Sequence, residues 1–252
     1  MTLTYLSCTL LNLGYIEQAC LRRDEALNEA RRDGLPPYAL AFALSLSLTL
    51  DGFEGVKSAK AMLRTAEEIV AISKEHGFPQ YIVGGNIQRG WCLCAMGQRA
   101  EGLSLLLEGI EIKRAAGFNL HAPAFLTEIA EVYETAGEPR EGLNRLAEAA
   151  KLVEMTQERW AEAEMHRRRG TLLLSMHEQA AAEENHRALS VARQQSGKFL
   201  ELRAATSLAR LWCDQGKRTE AQDLLAPIYG WFTERFDTPV LKEAKALVDE
   251  LA

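Results

Sequence analysis

Turn signals between apolar runs return along this chain at a nearly constant interval, and no other feature narrows its possible folds so far. Asp33-Gly34, His76-Gly77, Ala116-Gly117, Thr156-Gln157, Ser196-Gly197 and Phe236-Asp237 place breaks at 34, 77, 117, 157, 197 and 237, a first step of 43 and then steps of 40. A second series consists of small residues suited to the close approach of two helices. It runs Ala19, Ala59, Gly102, Gly142, Ala181 and Ala221, with steps of 39 to 43. Further breaks at Gly14, Gly97, Gly137 and Gly216 fall just before members of that series, so each period holds two helices.

The apolar residues inside the periods follow helical spacing. Leu202, Ala205, Leu208, Ala209 and Trp212 line one stripe, and Leu224, Leu225, Ile228 and Trp231 continue it after the break. A lone hairpin cannot bury such a stripe, so neighbouring hairpins must stack. The expected fold is therefore all-α, a solenoid of six hairpins in a single domain over residues 1–252. Its repeats run approximately 1–34, 35–77, 78–117, 118–157, 158–197 and 198–237. Asp237-Thr238-Pro239 offers a helix N-cap followed by proline at the first helical position, and an amphipathic cap helix is expected over 238–251.

Two segments stand apart. Tyr38 to Leu50 reads YALAFALSLSLTL, an alternation that by pattern alone is strand-like. A lone strand among helices would leave its edges unpaired, so a helix buried on two sides, or exposed at an interface, is expected there. Met1 to Leu13 begins directly in an apolar run, with Leu3, Leu6, Leu10 and Leu13 on one side. Homodimerisation through this N-terminal end would cover that flank.

Charge and composition exclude several function classes. The net charge is −6, from 29 Lys and Arg against 35 Asp and Glu, which gives no general attraction to nucleic acid or anionic membranes. The longest uncharged stretches do not make a convincing membrane span, and the first lacks the basic start and cleavage site of a secretory signal. Five cysteines, Cys8, Cys20, Cys92, Cys94 and Cys213, contain no CxxC pair, and a reducing cytoplasm is expected.

Leu6-Ser7, Leu10, Gly14, Ala19 and Ala26 resemble the tetratricopeptide repeat. So do Gly90, Leu93, Gly97 and Gly102, then Ala130, Tyr133, Gly137, Gly142 and Ala149, and Ala209, Trp212, Gly216 and Ala221. The strings Glu158-Arg159-Trp160, His166 to Gly170, Glu201 to Trp212 and Leu224 to Leu247 are similar to one group of such proteins. That group is the C-terminal repeat region of large bacterial regulators that carry an ATPase module and often a nucleotidyl cyclase domain. The resemblance implies a right-handed superhelix and a regulatory tail that receives a protein or peptide partner and controls an upstream ATPase or cyclase module. Arg235 stands where those tails usually have glycine, which speaks against a left-handed helix stop there.

Catalytic patterns fail on inspection. Asp51 to Ser58 has two residues between its glycines, where a phosphate loop needs four, and reads better as an inter-helix turn. His177-Glu178 opens a zincin-like string, but position 181 is Ala. Neither a nucleophile elbow nor a dinucleotide fingerprint is present, so no enzyme, metal or cofactor is expected.

The most pointed constellation is His166-Arg167-Arg168-Arg169 with Arg203 and Arg210. If first helices line the concave wall, as the resemblance implies, Glu131, Thr171 and Arg210 stack in one row. Thr127, Arg167 and Thr206 then make a second row, and Glu164 and Arg203 a third. Such a groove could present guanidinium forks to an acidic peptide or a small effector. Equally, Glu131, Glu162 and Glu164 could neutralise the arginines within the scaffold. Trp91, with Ile87 and Leu48, either floors the same groove or belongs to the core.

Overall fold

The computed structural model describes every residue except Val56, together with all side chains but those of Val56, Phe53 and Glu54. Among the described residues the regular structure is entirely helical. The thirteen helices are α1 (Thr2–Asn12), α2 (Ile16–Ala30), α3 (Pro37–Glu54), α4 (Ala59–His76), α5 (Pro79–Ala95), α6 (Arg99–Ala115), α7 (Ala122–Thr135), α8 (Pro139–Thr156), α9 (Glu162–Ser175), α10 (Ala181–Gln194), α11 (Lys198–Asp214), α12 (Arg218–Tyr229) and α13 (Pro239–Leu251). None is long and apolar enough to cross a membrane.

Helix starts and stops are written locally. Proline opens α3, α5, α8 and α13, where its fixed φ suits the first turn and its missing N–H is not needed. Residues in the left-handed region recur at Gly14, Gly34, Gly55, Gly77, Gly97, Gly117, Gly137, Gln157, His177, Ser196, Gly216 and Arg235, at intervals of 19 to 22 residues, and all but Gly34 and Arg235 fall within two residues of a helix end. After many of them an N–H reaches back five residues to close the turn, as Gln98 does to Leu93 O, Glu138 to Tyr133 O and Lys217 to Trp212 O. Arg235 does not stop a helix: α12 ends at Tyr229 with Gly230 in the right-handed region, and Arg235 takes φ 54 further on, in the loop before α13, where Thr238 donates its hydroxyl to Arg235 O.

The chain divides into two compact units, Met1–Leu11 with Tyr15–Phe118, and Asn12–Gly14 with Asn119–Ala252, a division of which the even periodicity gives no sign. In the first unit each helix from α2 to α6 packs on its sequence neighbour, and α3 also meets α5. Leu44, Leu48, Met62, Ala66, Ile69 and Cys92 form a core cluster, with Trp91 and Tyr81 packed at its margin. The Tyr38–Leu50 segment is helical, inside α3, and is buried on both of its alternating sets: Ala41 and Ala43 as well as Phe42, Leu44, Leu46, Leu48 and Leu50. A helix enclosed in this way needs no polar stripe, which is why its pattern lacked one. Its hydroxyls turn inward on the backbone, Ser45 to Ala41 O and Ser47 to Leu44 O.

In the second unit α7 to α13 likewise pack in sequence, and the alternate helices α7, α9, α11 and α13 each touch the next of their set. Leu126, Ile129, Leu146, Leu172, Leu202 and Leu208 are fully buried between them.

Candidate interaction site

The arginine constellation lies in the second unit and is organised by one carboxylate. Glu164 occupies the first turn of α9, where a negative charge also meets the positive end of the helix dipole. Only 4% of it is exposed. Arg167, one turn along the same helix, grips it with both prongs: Nε donates to Oε2 at 2.9 Å and Nη2 to Oε1 at 2.7 Å. Arg203 of α11 adds Nη2 to Oε1 at 2.9 Å, and Arg168 brings its Nε to 3.2 Å from the same oxygen.

The same helix reaches in both directions. Arg168 pairs with Glu131 and Glu134 of α7, at 2.7 and 3.2 Å. Arg167 Nη1 donates to Ser207 Oγ of α11 at 3.4 Å. Three carboxylates, Glu131, Glu134 and Glu164, thus meet three guanidiniums, Arg167, Arg168 and Arg203. Burial pushes the Glu164 carboxyl up, but Arg167, Arg203 and Arg168 together outweigh it and hold the group far below the usual carboxylate range. Burial weakens the charge on Arg168, yet Glu131 and Glu164 raise its pKa overall. For Arg203 burial prevails and the value is lowered.

The predicted residues therefore separate. Glu164 with Arg203 is the third expected row, joined directly, and Arg167 binds the same carboxylate. Glu131 is drawn to Arg168. Arg210 pairs with Glu243 of α13 at 2.9 Å, with 56% of its side chain exposed. It helps line an open cavity of about 300 Å³ between α11 and α13, with Cys213, Asp214, Glu243, Leu247 and Glu250. Glu162 turns to Arg159 at 2.9 Å and stands apart from the arginine run. Trp91 belongs to the first unit, against the Leu44 and Leu48 core.

Two polar clusters escaped the sequence reading. Glu158 accepts the His121 backbone N–H at 2.9 Å and the Trp160 indole N–H at 2.8 Å, so it braces the left-handed His121 ahead of α7. Burial raises the Glu158 pKa, but those His121 and Trp160 bonds bring it below the ordinary value. His166 Nδ1 lies 2.7 Å from Glu184 Oε2 and links α9 to α10. Only the first pairing was legible as an interval: 37 residues from His121 to Glu158 is close to one period, whereas His166 and Glu184 lie 18 apart on adjacent helices.

The motifs weighed for catalysis find other places. His177 is the left-handed residue between α9 and α10. The Asp51 to Ser58 segment contains Val56, which lies outside the described residues. Its buried Asp51 accepts Arg23 at 2.7 Å and Lys57 at 2.8 Å. Among the described residues no three His, Cys, Asp or Glu side chains gather as a metal site. No protein-family model and no curated protein sequence matches the chain.

Proposed function

We propose that this chain is a right-handed tetratricopeptide-like solenoid of six hairpins and a cap helix, and that it serves as a non-catalytic protein-interaction scaffold. It would regulate an ATPase or nucleotidyl cyclase module of the kind its sequence resemblance implies. One observation carries the reading: first helices of successive hairpins touch at the repeat interval, with Glu164 and Arg203 39 positions apart and Arg167 and Ser207 40 apart. Helices held side by side in this way offer a partner a row of equivalent positions.

The balanced Glu164 network favours scaffolding over chemistry. Its guanidiniums already have carboxylate partners, so an incoming acidic peptide would have to displace a buried ion pair. Partner contact falls instead to the exposed members of the same helices, Arg210 first among them.

The test is retention of a defined partner. The immobilised chain should hold the ATPase or cyclase module encoded with it. Arg210→Glu should weaken that capture at least about tenfold, as loss of a central arginine does, with unchanged thermal unfolding. Failure of the wild-type chain to hold the module, or to alter its nucleotide turnover, would overturn the reading.

A further inference from the structure

We draw no further inference here: the strongest candidate, the open cavity between α11 and α13 lined by Arg210, Cys213, Asp214, Glu243 and Glu250, belongs to the partner-contact site already described, and its carboxylates Glu243 and Glu250 already face Arg210 and Arg218, so nothing in the structure shows what would fill it.

Discussion

Glu164 Oε1 accepts a hydrogen bond from Arg203 Nη2 at 2.9 Å, and so joins two helices whose contact residues lie 39 positions apart. The carboxylate is buried and serves Arg167 and Arg168 as well. Glu164→Gln keeps its shape and removes its charge, leaving three guanidiniums short of a partner. A loss of about 3 kcal/mol is expected at neutral pH, because breaking a buried pair strands the remaining charge. Urea unfolding measures it, and a loss within experimental scatter would mean the network contributes nothing.

Acid should act through the same groups. In Glu164 burial opposes ionisation, but the arginines prevail and lower the folded pKa. In Glu184 burial is likewise outweighed, by His166 first and then Arg169 and Arg187. A carboxyl with a lowered folded pKa contributes stability fully above its unfolded value, about 4.3 for Glu. That contribution is lost as pH falls through the folded value. The melting temperature should drop as pH is taken below about 4.3, and less steeply for Glu164→Gln. Parallel melting curves for the two proteins would contradict the assignment.

His177 is exposed and holds φ 60 between α9 and α10. A side chain in that region costs about 1 kcal/mol that glycine avoids. His177→Gly should therefore raise stability by about that amount, and Gly137→Ala, at φ 71 with open space around it, should lower it similarly. Calorimetry of the two variants gives shifts of opposite sign if the backbone conformation is correct.

Gly102 and Gly90 let α6 and α5 approach backbone to backbone. A Cβ on Gly102 would stand 2.5 Å from both Gly90 O and Cys94 Sγ, and one on Gly90 2.6 Å from Gly102 O. Gly102→Ala must push the helices apart, at a cost of about 2 kcal/mol. Denaturant titration of that variant should show the loss, whereas Gly97→Ala, with no close neighbour, should show only its backbone strain.

Leu208 is fully buried on α11. Leu208→Asp sets a charge in apolar surroundings, and a loss above about 3 kcal/mol is expected. A variant as stable as the wild type would place Leu208 on a different face.

Helix boundaries were open to reading because their causes are local. Proline at 37, 79, 139 and 239 and glycine at most stops act within a turn of chain, and the local sequence alone reveals them. Gln157, His177 and Ser196 do the same work without a permissive side chain, so only the phase of the period marks them. The site was half legible. Glu164 and Arg203 could be aligned by adding one repeat, and Arg168 is an i+4 partner of Glu164 by simple helical spacing. That Arg168 instead gathers Glu131, Glu134 and Glu164 together depends on how α7 sits against α9, which a single sequence does not specify.

The recurring left-handed residues, each set by its own neighbours, leave the instruction to turn independent of whatever lies far along the polypeptide. Under the proposed hairpin repeat, such a molecule can grow or shrink by duplication or loss of whole hairpins without any new rule for reversing direction. An insertion of one or two amino acids within a helix has no such freedom, because at about 100° per residue it turns the rest of that helix's apolar stripe away from its neighbour. Length is therefore open to evolution in discrete increments and closed to it in between.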